Sequence, residues 1–244
     1  MTFCLGIKLK EGLVGIADTR ITAGAECLSA KKVVIKQNRQ QHQSMFLMTS
    51  GLRALRDKTM TYFEEELQHD QEPCNKLYKM VNKFGNVLRQ VAREDKKVLE
   101  EAALKFNLFA LIAGQFEDDD EHKLYMIYPE GNWVEVGERT PFFIIGNSAH
   151  GRPILDRVLK HDAHLDYALK VGFLAFNATQ VSANDVAYPI DVILYKKDSF
   201  NMVTHRFEAD DLKPYALWWQ ERIAQSVDEM PDEWLQSAFA EFNR

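Results

Sequence analysis

Only three cysteines, Cys4, Cys27 and Cys74, occur among the 244 residues. They are odd in number and widely spaced, with no C-x-x-C pair and no histidine at finger spacing. That excludes a disulfide framework and a cysteine-rich zinc site, and leaves packed thiols of a reducing, cytoplasmic compartment. Basic excess is also missing. Thirty Lys and Arg against 36 Asp and Glu give a net charge of −6, so the phosphate-neutralising surface of a dedicated nucleic-acid binder is not expected. The longest apolar stretches, Leu108 to Gly114 and Pro141 to Gly146, are far too short to span a bilayer. Residues 1–9 lack the basic leader and length of an export signal. Neither the dinucleotide fingerprint nor the Walker A sequence is found. What remains is an ordinary globular composition, 46% hydrophobic and 27% charged, which disfavours disorder but names no chemistry.

The hydrophobic pattern supplies the architecture. Phe3, Leu5, Ile7 and Leu9 alternate with Cys4, Gly6 and Lys8, the period-2 signature of a half-buried strand. A turn at Lys10-Glu11-Gly12 returns the chain through Leu13 to Ala17 as a hairpin. Val33 to Ile35 and Met45 to Thr49 read as further strands. From Leu52 the period changes to 3.6. Leu52, Leu55, Phe63 and Leu67, then Leu77, Val81, Phe84, Leu88 and Val91, mark two amphipathic helices. Strand signals resume at 108–113, 123–128, 133–136 and 142–145, and helical ones at 153–160 and 163–176. Strands at 190–195 and 202–207 close the set.

This order, strands and paired helices in turn, lacks the strict alternation of a parallel α/β sheet. It suits an α+β fold in which two antiparallel sheets stack face to face, with a helix layer on each outer side. Near-continuous apolar runs such as Phe109 to Ile112 and Phe142 to Ile145 fit strands buried on both faces. Residues 2–207 form this domain, and 208–244 a helical tail. The tail holds Trp218, Trp219 and Trp234 with Phe239 and Phe242 among acids. Either it folds back on its own domain or it makes a subunit contact, where aromatic anchors are enriched.

Several clusters carry little chemistry. The acidic run Glu117 to Glu121 lacks the alternating ligands and central glycine of a calcium loop and reads as a solvated hairpin loop. His161 and His164 have no third ligand beside them, and no metal or other cofactor is expected. Gly146-Asn147-Ser148-Ala149-His150-Gly151 approximates a nucleophile elbow but is one residue too long and lacks the parallel sheet that elbow needs. Ser148 reads better as a helix cap before Pro153 or as a supporting polar group. A serine hydrolase using Ser148 nevertheless stays open, as does a non-catalytic, homo-oligomeric assembly protein.

The most specific feature is Thr2. Its small side chain permits removal of Met1, which would leave a free α-amino group of pKa about 8 on the threonine. One residue would then hold nucleophile and base together. Such a centre needs a cation near the hydroxyl, a carboxylate to hold the cation, and a backbone N–H facing the oxyanion.

Here the sequence resembles the threonine-dependent N-terminal-nucleophile (Ntn) peptidases of the proteasome β-subunit type. Thr2, Gly6, Gly12-Leu13-Val14, Ala17 to Gly24, Lys31-Lys32-Val33 and Ser50-Gly51-Leu52 carry the likeness. Ile145 to Ser148, Gly151 to Arg157 and Pro189 to Asp191 are similar to one bacterial branch, the ancestral β-subunit or Anbu group. The resemblance covers about residues 2–207. It implies the four-layer αββα sandwich of an Ntn hydrolase and hydrolysis of a peptide or protein substrate. Thr2 would be nucleophile and base, Asp18 the carboxylate, Lys32 the cation and Gly51 the oxyanion donor. Thr22 would line the cleft with its backbone. Arg20 belongs to the same motif. Arg53 would fall in the side-chain specificity pocket and favour acidic or unusual substrates over apolar ones. The resemblance also implies homo-oligomers, as rings or open helical arrangements. Two departures are visible. Lys32 stands 14 positions after Asp18, two fewer than the family pattern, so Lys31 is a rival cation. The family's Asp and Ser that hold the amino group have no clean match, and Ser182 and Asp185 are the candidates.

Overall fold

The computed structural model describes residues 2–23, 26–29, 32–69 and 74–240; for 21–23 and 26–29 it describes the backbone alone. Residues 1–208 and 209–244 are two separate compact units.

The first unit is built on two five-stranded antiparallel sheets. One has the order β10-β1-β2-β11-β12, the other β5-β6-β7-β8-β9. In the first, β1 (Phe3–Lys8) lies between β2 (Gly12–Asp18) and β10 (Phe142–Gly146), and β2 also pairs with β11 (Ile190–Lys196), which pairs with β12 (Met202–Phe207). The second runs from β5 (Val33–Asn38) through β6 (Gln43–Ser50), β7 (Phe109–Gln115) and β8 (Lys123–Ile127) to β9 (Trp133–Glu135). A two-stranded hairpin of β3 (Arg20–Ala23) and β4 (Glu26–Ser29) stands apart from both. No strand was expected there, because a four-residue strand with charged ends carries too few alternating positions to register.

The strand period explains the layers. Along β6, Met45 and Leu47 join the cluster formed with α1 (Arg53–His69) and α2 (Leu77–Glu101), through Leu55, Phe63, Phe84 and Leu88. The alternate residues Phe46 and Met48 pack between the sheets with Cys4, Leu13, Ala17, Leu111, Ile193 and Tyr195. On the far side α4 (Leu165–Ser182), with α3 (Arg152–Val158) beside it, covers the first sheet. A Cβ on Gly172 of α4 would come within 2.7 Å of the Ile16 Cδ1 methyl and 3.3 Å of a Leu5 methyl, so the helix lies close on the sheet here and a larger residue would have to displace the Ile16 side chain. Helices, sheet, sheet, helices is the four-layer αββα sandwich.

Two readings of the sequence change. β1 is buried on both faces, not one, because Cys4 and Gly6 are small enough to lie against the second sheet. A Cβ on Gly6 would stand 2.9 Å from Leu124. Nor is the acidic run simply solvated. Asp119 accepts the N–H groups of Phe116 and Leu77, at 2.9 and 3.0 Å, and Glu121 receives the buried Lys8 at 2.7 Å.

The second unit contains α5 (Ala209–Asp228) and α6 (Leu235–Phe239). Neither helix has a buried residue, although Tyr215, Leu217, Trp218, Ile223 and Val227 are carried by α5. No helix among the described residues is long and apolar enough to cross a membrane.

Candidate active site

β1 and β2 are antiparallel with Cys4 opposite Ala17, so the residue before β1 and the last residue of β2 meet at one end of the sheet. Thr2 Oγ1 donates to Asp18 Oδ1 at 2.6 Å, and the Phe3 N–H donates to the same oxygen at 2.8 Å. Lys32 arrives from the other sheet, one residue ahead of β5. Its Nζ donates to Asp18 Oδ1 at 2.7 Å and also to Thr2 Oγ1. The second carboxylate oxygen of Asp18 accepts the Arg20 N–H at 3.2 Å. Thr2, Asp18 and Lys32 are 5%, 0% and 5% exposed. A buried ion pair is tolerable only when its remaining hydrogen-bonding capacity is filled. Here the carboxylate is met by four donors, and the ammonium has both an anion and a hydroxyl.

Gly51 follows β6 at the same end. Its neighbour two positions back, Thr49, accepts the Cys4 thiol through its carbonyl at 3.9 Å. Gly51 has φ +147°, and a Cβ there would lie 1.9 Å from the Asn107 carbonyl oxygen, so both conformation and space require glycine. Burial pushes the Cys4 thiol up to about 12, against the lowering influence of Lys32. Cys4 is therefore an inert thiol beside the hydroxyl and not a competing nucleophile.

Asp185 lies in the connection between α4 and β11. Burial raises its carboxyl, but the positive amino terminus and Lys32 more than offset this and hold it below the ordinary aspartate value. Arg20 Nη1 donates to the Asn184 carbonyl at 2.7 Å. Ser182 is the exposed last residue of α4.

The other candidates are placed as follows. Thr22 pairs with Cys27 in the β3–β4 hairpin, and its side chain lies outside the described residues. So does the whole of Lys31. Arg53 opens α1 and pairs with Asp57 at 3.3 Å, both side chains being more than half exposed. Ser148 does not cap α3 as expected: Gly151 occupies the cap position without a side-chain bond, and Ser148 contributes only its carbonyl, to the Arg152 N–H at 3.1 Å. The chain reaches α3 through a turn whose backbone is already directed at Thr2, which leaves no cap geometry for the hydroxyl. Instead Ser148 borders a cavity of about 320 Å³ with Phe142, Phe143 and Arg152.

Two residues of this region were not singled out as site residues in the sequence. Asn147 N–H donates to the Thr2 carbonyl at 2.7 Å. Gly146, with φ +90°, leaves room for that carbonyl, which a Cβ would approach to 2.0 Å. The Ile145-Gly146-Asn147-Ser148 motif was visible, but its backbone role depends on the pairing of β10 with β1. Among the described residues no group of three or more His, Cys, Asp or Glu side chains could hold a metal ion.

The arrangement provides a dry hydroxyl next to a fixed cation, with a carboxylate orienting both. A family model described as "Proteasome subunit" matches residues 2–192. Among solved structures, Anbu from Hyphomicrobium sp. strain MC1 is 28% identical, over 94% of this chain and 98% of that one, with a TM-score of 0.84. Anbu (ancestral beta-subunit) from Yersinia bercovieri is 26% identical over 94% and 98%, also at 0.84. A structure described as the helical assembly of the Anbu complex from Pseudomonas aeruginosa, 24% identical over 94% and 97%, has the same fold at 0.87. No curated protein matches the sequence.

Proposed function

The chain belongs to the proteasome subunit family, and from that premise we propose that it is a threonine-type N-terminal-nucleophile peptidase whose nucleophile, Thr2, is freed by loss of Met1. The observation that carries the reading is the convergence of Asp18 and Lys32 on the Thr2 hydroxyl, in a site where all three side chains are buried. Loss of Met1 moves the terminal amine one peptide unit along, onto Thr2.

The Thr2 hydroxyl attacks the substrate carbonyl while the amine, directly or through a water, takes its proton. Lys32 stabilises the negative charge that develops, and the Gly51 N–H faces the oxyanion. Asp18 orients Lys32 and offsets part of its charge. The ammonium then returns the proton to the leaving amine, leaving an ester on Thr2. Water, deprotonated by the same amine, hydrolyses that ester and regenerates the hydroxyl. Arg53 supplies positive charge for an acidic side chain before the scissile bond, in exchange for Asp57.

The protein works on this reading in the cytoplasm as a homo-oligomer, and the tail is a subunit contact. An amphipathic helix buries its apolar face, and in α5 Tyr215, Leu217, Trp218, Ile223 and Val227 are all exposed. Ending the chain at Glu208 is expected to abolish assembly in sedimentation velocity while leaving the circular dichroism of the first unit in place. An unaltered oligomer would remove the tail from the interface.

The test of the activity is kcat/KM on peptides bearing acidic or aromatic residues before the cleaved bond. Thr2→Ala is expected to show none, and Lys32→Ala to lose roughly 10²–10³-fold or more, the scale of a lost oxyanion donor. Activity that survives Thr2→Ala and is blocked by a fluorophosphonate would transfer the chemistry to Ser148. An aromatic preference would remove Arg53 from the specificity pocket.

A further inference from the structure

The peptide group that joins Thr2 to Phe3 is bonded on both sides. The Thr2 carbonyl accepts the Asn147 N–H at 2.7 Å, and the Phe3 N–H donates to Asp18 Oδ1 at 2.8 Å. The Thr2 side chain is engaged as well, its hydroxyl donating to the same carboxylate oxygen at 2.6 Å. Phe3 packs edge-on against Phe176 of α4, with ring centroids 5.9 Å apart. Exposure falls from 5% at Thr2 to 0% at Phe3, Cys4 and Leu5. These residues lead into β1, an inner strand paired with β2 on one side and β10 on the other. It has no free edge along which to peel away.

A peptidase brings its catalytic groups to about 3–3.5 Å from the bond it cuts. To hydrolyse the bond ahead of Thr2, an external enzyme needs Thr2 and the residues after it drawn out of the fold. That breaks the contacts above and strips an inner strand from its sheet, an opening close to global unfolding. The internal route meets a different obstacle. While Met1 is present the Thr2 nitrogen is an amide, so the amine that serves as base in turnover does not yet exist.

Building on the reading of Thr2 given above, we propose that Met1 is removed by a methionine aminopeptidase acting on the nascent chain, and that folding ends this step: β1, once seated between β2 and β10, seals any chain that still bears Met1 as an inactive subunit. The reaction is amide hydrolysis. Water adds its oxygen to the Met1 carbonyl carbon, the C–N bond breaks and free methionine leaves. The Thr2 nitrogen takes the proton and becomes the α-amino group. The active fraction is thus set by a race between trimming and folding, and no later step in assembly changes it.

Protein bearing Met1 is made in a reconstituted translation system that contains peptide deformylase and no methionine aminopeptidase, and its fold is checked by circular dichroism. Intact mass then follows Met1 in the folded chain alone and in the folded chain with purified aminopeptidase. A synthetic peptide of residues 1–10 gives the rate for an open chain. A protein with a short, methionine-led Gly/Ser leader ahead of Thr2 shows that the folded molecule does not itself inhibit the enzyme. Chains made with the aminopeptidase present throughout should lose Met1 completely. The folded chain should lose none alone. With the enzyme it should be trimmed about 10³-fold or more slowly than the peptide, because cleavage through an open form scales with the open fraction. The methionine of the leader should leave at a rate near that of the peptide.

A smaller slowing of the folded chain overturns the proposal. So does loss of Met1 without the enzyme, which would make the removal intramolecular. Equal protection of the leader, or a Met1-bearing chain that does not fold, overturns it as well. Mass reads the trimming without turnover. A fully trimmed chain that cleaves no peptide refutes the peptidase reading and leaves the order of trimming and folding standing.

Discussion

Asp18→Asn is nearly isosteric and removes a single charge, yet the site predicts a large effect. Asp18 is fully buried and Lys32 is 5% exposed, with 2.7 Å between the charged atoms. Without the carboxylate the ammonium is left in the interior against a neutral amide. Breaking a buried pair in this way costs about 3–5 kcal/mol. The amide oxygen can still accept from Thr2 and Phe3, which places the expectation near the lower end, about 3 kcal/mol. For a chain of this length each kcal/mol moves Tm by about 2–4 °C, so Tm should fall by roughly 6–12 °C. Urea unfolding at a fixed protomer concentration measures the difference without confusing it with assembly. The double variant Asp18→Asn/Lys32→Met removes both charges, and its destabilisation should be smaller than the sum of the single effects by at least about 1.5 kcal/mol. An Asp18→Asn protein within about 0.5 kcal/mol of wild type would refute the reasoning, because the pair would then not be a desolvated one.

Gly51→Ala should be among the most damaging single-methyl changes in the chain. It combines a positive φ with a Cβ 1.9 Å from the Asn107 carbonyl oxygen, and a loss of about 3 kcal/mol or more in chemical denaturation is expected. His122 predicts a pH effect remote from the site. It is 1% exposed, its Nε2 lies 2.6 Å from the Leu9 carbonyl, and Nδ1 has no partner among the described residues. Burial, then Lys8 and Lys197, hold its pKa below the ordinary 6.5, against the raising influence of Leu9 and Glu121. The folded state therefore prefers the neutral ring. Its stabilising contribution is complete above about pH 6.5 and is lost as the pH falls through the lower folded value. Stability measured from pH 7.5 to 5 should decline less steeply in His122→Gln than in wild type.

The parts of this molecule that were legible in the sequence are those written in periodicity. Phe46 and Leu47 occupy opposite faces of one strand because the period is two, and the paired helices follow from the change to 3.6 at Leu52. The four layers come from that alone. What periodicity could not supply was contact between distant backbones. The β3–β4 hairpin is too short for a pattern, and Cys4 and Gly6 look like a polar face until the second sheet lies on them. Ser148 looked like a cap because its local sequence suits one, whereas the turn was shaped by Asn147 binding the Thr2 carbonyl. Among the site candidates, Thr2, Asp18 and Lys32 meet although the loop between the last two is short. Lys31 and the side chain of Thr22 lie outside the described residues. The bonds from Arg20 to the Asn184 carbonyl and from Thr19 to the Pro189 carbonyl span 164 and 170 positions of chain, a separation at which no local rule operates.

The central claim is that one residue supplies both hydroxyl and amine, and it is tested most directly by intact mass. A peptide epoxyketone closes a ring on a 1,2-amino alcohol and so requires both groups of a free amino-terminal threonine. The account predicts a chain lighter by one methionine that gains one inhibitor per protomer on Thr2, and a Thr2→Ala chain that gains none. Peptide-hydrolysing protein whose mass still includes Met1 would contradict it, because the proposed base would then be tied up in an amide.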